Sequence, residues 1–308
     1  MGVVHTFGIE DLRGSPRRRR REARARLVVR GAAWLSIVVS VLIVVVLVRG
    51  SVDFLRLIDL GSLKDSGWFP RRERFDLSTI IVGSVVIGGI AMLVAIPFGL
   101  GTAIYLAEYA SARMRRIVKP VIEVLAGIPS VVVGFFALRF IAPKFVDPIF
   151  HPSRSQNMLV AGLGIGILVI PIMASVSEDA LRSVPGSLRE ASYGIGARKS
   201  STVVRIVLPA AVSGIVAALV IAVSRAIGET MVASMASGFD GQGKFDYVPT
   251  HPGLTMTAAM TNAAGGTDSV NGGAPFQALF FVGLLLFLLT LGLNLIGDRF
   301  VRRVRQKY

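Results

Sequence analysis

The residues that this sequence lacks exclude several kinds of chemistry. The chain has no cysteine, so disulfide bonds and thiolate metal sites cannot form. Its three histidines, His5, His151 and His251, are scattered and do not have the spacing of a metal site. The phosphate loop G-x-x-x-x-G-K-[ST] does not occur either. We therefore expect a chain that binds no metal or cofactor of its own and has no catalytic ATPase site.

Charged residues are also scarce, and apolar residues take their place. Only 17% of the 308 residues are charged and 53% are hydrophobic, with a mean hydropathy of +0.65. A soluble domain needs more polar residues for its surface, so most of the chain is expected to lie in lipid. We predict an all-α, polytopic membrane protein with six transmembrane helices. These spans cover about residues 31–48, 79–106, 121–142, 158–176, 209–235 and 277–296.

The spans and their flanks predict four parts of the chain. Residues 1–30 are a basic leader, and residues 31–78 hold the first span and the loop after it. Residues 79–297 form the main transmembrane domain, and residues 298–308 are a basic tail. The first span follows a basic segment but has no small-residue cleavage site after it, which predicts an uncleaved anchor.

Basic residues are distributed unevenly between the two sides of the membrane. With the leader placed inside, the inward segments hold 23 Lys and Arg and the outward segments hold 9. Because basic loops stay on the cytoplasmic side, both termini and residues 177–208 are predicted to be cytoplasmic. The run Arg17–Arg21 also fits a nucleic-acid arm on a membrane-anchored structural protein. Its position beside a span favours a topology signal, and we expect no nucleic-acid partner.

A charged, twice-interrupted helical pattern lies between the fourth and fifth spans. Ser187 and Glu190 have the spacing of a capping box, which predicts a short helix that starts after Pro185-Gly186. Gly194 and Gly196 weaken that helix and allow the chain to turn. Ser200 or Ser201 can then cap a second helix that leads to the next span. The pattern predicts a small elbow over residues 187–209, with one apolar side free to contact a partner.

This elbow carries a family motif. Over the segment EASYGIGARKSSTVVRIVLP, the matching residues are Glu190, Ala191, Gly196, Ile206, Leu208 and Pro209. Their types and spacing resemble the motif of binding-protein-dependent ABC importer membrane subunits of the MetI-like, type I family, and Ser192 in place of Ala is the one departure. In that family the elbow is the coupling helix, which fits into a cleft on a cytoplasmic ATPase subunit. The resemblance therefore implies an ATPase contact at these six residues.

The fifth span contains a charged turn, Ser224 to Thr230. Arg225 and Glu229 are four residues apart, which places them on one helix face. A charge at the centre of a membrane helix costs about 2.5–3.5 kcal/mol, so neither side chain is expected to face lipid. The pair fits either a structural ion pair or a station for a polar solute, and the planar arginine fork suits an oxyanion. Arg139, near the outward end of the third span, is expected to reach the interface instead.

A small-residue row accompanies the charged turn. Its members recur at four-residue intervals along the fifth span: Ala210, Gly214, Ala218, Ala222 and Ala226. Such a row lets another helix approach closely. We expect Arg225 and Glu229, which flank the row, to lie at the edge of a helix contact or in a cavity between subunits.

Three further segments narrow the resemblance. RAIGETM, IEVLAGIPSVVVGFF at 122–136 and IMASVSEDALRSVP at 172–185 look like PstC-type membrane subunits of phosphate importers, over about residues 77–305. The resemblance implies that Arg225 and Glu229 line the phosphate pathway, and we group Thr230 with them. It also implies a PstA-like second permease, a PstB-like ATPase dimer that uses ATP and Mg, and an external PstS-like phosphate-binding protein. The expected location is the cell membrane.

Three alternatives remain open from the sequence. The chain resembles the PstA-type sister subunit nearly as well, and another oxyanion such as phosphonate, sulfate or molybdate could replace phosphate. A stand-alone secondary transporter is a third possibility. Against that third reading, the spans contain few ionisable residues that could bind coupling ions.

Overall fold

The structure is a computed structural model that describes residues 16–64, 67–239, 243–265 and 273–304. Residues 1–15 and 305–308, which belong to the predicted leader and tail, lie outside these ranges. The all-α prediction is confirmed, with one short antiparallel hairpin of β1 (Trp68–Phe69) and β2 (Arg74–Phe75). The helices are α1 (Pro16–Leu57), α2 (Leu77–Ile104), α3 (Ala112–Ala126), α4 (Ser130–Phe136), α5 (Asp147–Phe150), α6 (Met158–Arg182), α7 (Gly186–Gly194), α8 (Lys199–Thr202), α9 (Leu208–Ile227), α10 (Met231–Ala236), α11 (Met256–Gly265) and α12 (Ala274–Val304).

Five helices in the described residues are long and apolar enough to cross a bilayer, and a bent pair supplies a sixth span. The bent pair corrects the predicted third span. Residues 121–142 straddle a bend of 91° between α3 and the helical stretch Ser130–Phe150. Pro129 lies at that bend and disfavours a helical conformation for the residue before it, so α3 ends at Ala126 and α4 begins at Ser130.

The chain divides into two compact units at residue 49. In the first unit, the described part is the α1 helix up to Arg49, and its apolar side chains are exposed, as expected of a membrane span. The second unit, from Gly50 onward, contains every other element. Everything below concerns this second unit.

The centre of the second unit is a close packing of α2, α6 and α9. A Cβ at Gly162 of α6 would collide with Ile90 of α2, and a Cβ at Gly214 of α9 would collide with Ala180 of α6. Ala218, Ala222 and Ala226 are buried in the same core. The small-residue row therefore does allow a close helix contact, as predicted, and its partner is α6.

The hairpin end of the unit is held by a buried aromatic cluster. Trp68 packs edge-on against Phe75, and Phe75 packs edge-on against Phe54. Asp76 caps α2 through its side chain. Burial alone would raise the pKa of Asp76, but hydrogen bonds from the Ser78 and Thr79 hydroxyls and from backbone amides lower it below its ordinary value. The hairpin thus fixes the start of α2.

Candidate functional site

The charged turn lies at a break in the fifth span rather than inside a continuous helix. The sequence predicted one span over residues 209–235, but α9 ends at Ile227 and α10 begins at Met231. The Glu229 carboxylate accepts hydrogen bonds from the Met231 and Val232 amides, at 3.2 and 3.5 Å. It therefore satisfies the free amides at the start of α10, which makes a new helix start possible here.

Arg225 and Glu229 form an ion pair across this break. Arg225 Nη1 donates to Glu229 Oε2 at 2.7 Å, and the Glu229 side chain is only 3% exposed. With the two amides of α10, both carboxylate oxygens are hydrogen bonded. The Glu229 backbone carbonyl also accepts from the Thr257 hydroxyl at 2.9 Å. Glu229 is thus a fully satisfied buried residue of this chain.

Arg225 differs from its partner because its side chain is 43% exposed. Among the described residues, its only hydrogen bond is the one to Glu229. A guanidinium has five N–H donors, so several of them are available to a group outside this chain. The arrangement fits both hypotheses that the sequence left open. Glu229 is a structural carboxylate that holds Arg225 in place, and Arg225 still has N–H donors that could bind a polar solute.

Thr230 lies beside a small cavity of about 320 Å³ that the sequence analysis did not anticipate. Thr257 and Thr261, on α11, line the same cavity, together with Gly228 and apolar side chains. The two threonines at four-residue spacing were a signal that one face of α11 is polar.

The elbow forms as predicted, but its helix starts are different. The first helix, α7, begins at Gly186 after Pro185 and has no side-chain cap, so the predicted Ser187–Glu190 capping box is wrong. The second begins at Lys199 after Arg198, so the caps predicted at Ser200 or Ser201 are also wrong. From Lys199 the chain is helical to Ile227, with a π-helical stretch, Val203–Val207, between α8 and α9. The second limb of the elbow is therefore continuous with the fifth span.

A short polar contact joins the two limbs of the elbow. The hydroxyls of Ser192 and Thr202 lie 2.8 Å apart and are both buried. Between them the chain turns at Gly196, whose φ of +80° is in the left-handed region that favours glycine. Ser192, the one departure from the family motif, thus has a structural role in this chain.

The motif residues separate into two groups. Glu190, Ala191 and Gly196 are exposed, and Pro209 is exposed in the first turn of α9. Ile206 and Leu208 are half-buried, and Leu208 packs against a cluster under the elbow that includes Val184 and Val207. The exposed motif residues form part of the surface of the elbow, and the half-buried Ile206 and Leu208 hold the elbow in place.

The exposed group surrounds an apolar side chain. Ile195 is 87% exposed at the tip of the elbow, and Tyr193 is exposed nearby. Ile195 and Tyr193 together form an exposed apolar area beside the turn at Gly196. The elbow can therefore present the apolar side chain of Ile195 to another protein.

The base of the elbow is fixed by an arginine that the sequence analysis assigned no role. Arg189 of α7 donates to Glu108 Oε1 from Nε and Nη2, at 3.1 and 2.8 Å. It also donates to the carbonyls of Val184 and Leu181. Glu108 lies 81 residues away, in the turn after α2, so only tertiary structure brings the two together.

Arg139, which was expected to reach the membrane interface, is part of the helical stretch after the 91° bend. It lies near the middle of Ser130–Phe150. Its guanidinium lies 5.6 Å from the centre of the Phe135 ring.

Comparisons with known proteins agree with the motif. Residues 95–306 match the family described as "Binding-protein-dependent transport system inner membrane component". The chain is 32% identical over 279 residues to the "Phosphate transport system permease protein PstC" of Mesorhizobium japonicum, covering 85% of this chain and 84% of the relative. It is 36% identical to "Phosphate transport system permease protein PstA 1" of Mycobacterium tuberculosis, but over only 56% of this chain.

The solved structures support the fold. A bacterial ABC transporter involved in the import of the acidic polysaccharide alginate matches with a TM-score of 0.64. That match covers 94% of this chain and 100% of the other chain, at 16% sequence identity. At this identity the likeness establishes the shared helical architecture alone.

Proposed function

The chain belongs to the family of binding-protein-dependent transport system inner membrane components, and from that membership we propose that it carries inorganic phosphate into the cell as a PstC-type permease subunit. It is a multi-pass membrane protein of an ABC transporter complex. The observation that supports a phosphate pathway is Arg225, half-exposed in an otherwise apolar span and held by the buried Glu229. PstC relatives match most of the chain, whereas the PstA relative matches about half of it.

Arg225 has the chemistry that an oxyanion requires. Its planar fork can donate two parallel hydrogen bonds to adjacent oxygens of phosphate. Glu229 uses both of its oxygens within the chain, so it keeps Arg225 in place and in a fixed direction. A carboxylate next to the site also repels a fully charged trianion more than a monoanion, which favours the protonated forms of phosphate.

The elbow is the proposed connection to a partner ATPase. The chain has no phosphate loop, so ATP and Mg would bind to a separate PstB-like ATPase dimer, and this subunit would be non-catalytic. Ile195 and the exposed motif residues Glu190, Ala191 and Gly196 would enter its cleft. Because the helix from Lys199 continues to Ile227, a tilt of the elbow would move Arg225 at the other end of the same helix.

The remaining partners follow from the same reading. A PstA-like permease would complete the pathway, and an external PstS-like phosphate-binding protein would deliver the substrate. The excess of basic residues on the inward segments supports a cytoplasmic location for both termini and the elbow, on the side where ATP is present. The cell membrane is the proposed location.

The test is phosphate uptake by the complex reconstituted in vesicles with the partner permease, ATPase and binding protein. Arg225→Ala should lower ATP-dependent uptake by at least about a hundredfold while the complex still assembles, since removing the charged partner of a bound anion costs about 2–5 kcal/mol. Arg302→Ala is the matched control, because Arg302 also pairs with an acidic residue four positions away but lies exposed near the end of α12.

Three outcomes would contradict the proposal. Unchanged uptake in Arg225→Ala would make Arg225 a packing residue. Competition by phosphonate, sulfate or molybdate at concentrations where unlabelled phosphate does not compete would assign the pathway to that oxyanion instead. Uptake that persists without the ATPase would favour a stand-alone secondary transporter.

A further inference from the structure

A second buried glutamate lies at the elbow end of the unit, far from the charged turn in sequence. Glu178, in the last two turns of α6, has a fully buried side chain. Lys119 Nζ on α3 donates to its Oε2 at 2.6 Å. Arg115 Nε on α3 and Arg182 Nη1 on α6 each lie 3.6 Å from its other oxygen, Oε1. Three cations from two helices therefore surround one carboxylate.

This arrangement is not explained by stability alone. A buried ion pair loses much of its attraction to the cost of removing both charges from water, and apolar residues of similar size often stabilise a fold as well or better. In addition, Glu178 Oε1 accepts no hydrogen bond within the described part of the chain. The two arginines are beyond hydrogen-bond distance by less than about 0.5 Å. Glu178 can therefore exchange partners during a small displacement while a cation stays close to it.

The cations connect Glu178 to the base of the elbow. Arg115 donates to the carbonyl of Leu106 at 2.8 and 2.6 Å and to that of Ala107 at 3.2 Å. The next residue is Glu108, which accepts the two hydrogen bonds from Arg189 of α7. One continuous polar network thus joins α7, the end of α2, α3 and the end of α6.

The C-terminal end of α3 is connected to the charged turn through α4 and α10. After the 91° bend, the chain continues into α4. There Gly134 lies so close to α10 that an added Cβ would be 3.3 Å from the Val232 Cα and 3.1 Å from the Met235 sulfur. The first turn of α10 is the one that the Glu229 carboxylate caps. Contacts therefore run without a gap from the elbow through α3, α4 and α10 to Glu229.

We propose that Glu178, through Lys119 and Arg115, is a positioning residue that couples α3 to the elbow, so that the elbow acts on the charged turn by two routes. One route is the continuous helix from Lys199 to Ile227. The second passes through the Glu178 network, α3, α4 and α10. A movement transmitted along both routes displaces Arg225 and Glu229 together, which preserves their ion pair, whereas the first route alone would pull Arg225 away from the start of α10. This inference rests on the proposed transport function.

The test measures phosphate uptake and ATP hydrolysis in the same reconstituted complex. Glu178→Gln keeps the shape of the side chain and removes its charge, so that Asp179, 2.7 Å from Lys119 Nζ, is left as the anionic partner of Lys119. We expect phosphate carried per ATP hydrolysed to fall about tenfold, within the usual range of coupling between sites, while the ATPase remains bound. The matched control is Asp298→Asn, which neutralises an exposed ion pair and should leave the ratio unchanged.

A second pair of variants separates positioning from folding. Lys119→Met removes the hydrogen-bonded cation from a side chain that is partly exposed, so it is tolerated more easily than a change at Glu178. It should lower the uptake-to-hydrolysis ratio in the same way, and Lys119→Arg should restore most of it because the cation is kept.

The results distinguish this inference from the proposed function itself. Phosphate uptake by the unaltered complex with an unchanged ratio in Glu178→Gln and Lys119→Met overturns the second route and leaves the function intact. Failure of both variants to assemble also overturns it, because Glu178 would then be a structural residue only. Absence of uptake by the unaltered complex overturns the proposed function and the inference together.

Discussion

The charged turn and the elbow each contain one residue whose exposure to solvent is unusual for its type. Glu229 is a charged residue that is buried, and Ile195 is an apolar residue that is 87% exposed. Within the chain, Glu229 has a partner for each oxygen: Arg225 and the amides that begin α10. Ile195 has no such cover. The Glu229 carboxylate is therefore satisfied within this chain, whereas Ile195 would be covered only by the proposed contact with an ATPase.

This difference predicts where a mutation acts. Changes at the turn should damage the chain itself, because its polar groups depend on one another. Changes at the elbow tip should leave the isolated chain intact and damage only the assembled complex. The following variants test that division.

Glu229→Ala should have the largest effect. It removes the partner of a charged arginine and the cap of α10 at once, and because Arg225 is 43% exposed to water the cost is below the roughly 3–5 kcal/mol of breaking a fully buried pair. We expect a lower thermal midpoint for the purified subunit in detergent, as well as lost uptake. Glu229→Gln keeps an acceptor for the α10 amides, so it should recover a substantial part of the stability but not the uptake. Equal stability of the Ala variant and the unaltered chain would show that the turn is not an internal structural unit.

Ile195→Glu should act on assembly rather than on the fold. A buried apolar anchor at a protein interface contributes about 2 kcal/mol or more, so the ATPase should no longer copurify with the permease. The thermal midpoint of the subunit alone should not change, since the side chain is exposed. Tyr247→Glu, an exposed aromatic residue on the loop before α11, is the matched control and should leave ATPase binding unaltered. Normal copurification of the ATPase with Ile195→Glu would remove the elbow tip from the interface.

The sequence was sufficient to predict features that depend on neighbours along the chain. The elbow, the small-residue row and the Arg225–Glu229 pair all follow from spacings of ten residues or fewer or from a repeat along one helix. The break after Ile227 was missed because Gly228 alone does not end an apolar helix, whereas the Glu229 carboxylate, by capping α10, does. The sequence identifies Glu229 as the partner of Arg225, but it does not identify Glu229 as the cap of α10.

Contacts between distant segments could not be predicted from local patterns. Lys119 and Glu178 are 59 residues apart and Glu108 and Arg189 are 81 apart, so nothing in their spacing identifies them as partners. The bend before Ser130 was missed for a related reason. Residues 121–142 contain enough apolar residues for one span, and hydropathy does not reveal that α3 carries Arg115 and Lys119 toward α6.

Gly196→Ala tests the shape of the elbow separately from its contact surface. A Cβ in the left-handed conformation costs about 1–2 kcal/mol, although the space around Gly196 is open. We expect weaker ATPase binding, because the two limbs of the elbow would shift to relieve the strain. Gly194→Ala is the matched control: it also has open space but lies in α7 without a positive φ, so it should bind the ATPase normally. Equal binding by both variants would mean that the turn geometry does not matter for docking.

Ser192→Ala should have the smallest effect. It tests whether a contact inside the elbow affects only the stability of the subunit or also its binding to the ATPase. It restores the residue usual at this position of the family motif and removes the hydrogen bond to Thr202, a loss of about 0.5–1.5 kcal/mol. The Thr202 hydroxyl keeps the Arg198 carbonyl as an acceptor, so no buried donor is left unpaired. We expect a slightly lower thermal midpoint of the subunit, unchanged ATPase binding, and no change in either for the exposed Ser200→Ala. A loss of ATPase binding in Ser192→Ala would mean that the internal contact between the limbs, and not only the exposed tip, is part of what the partner recognises.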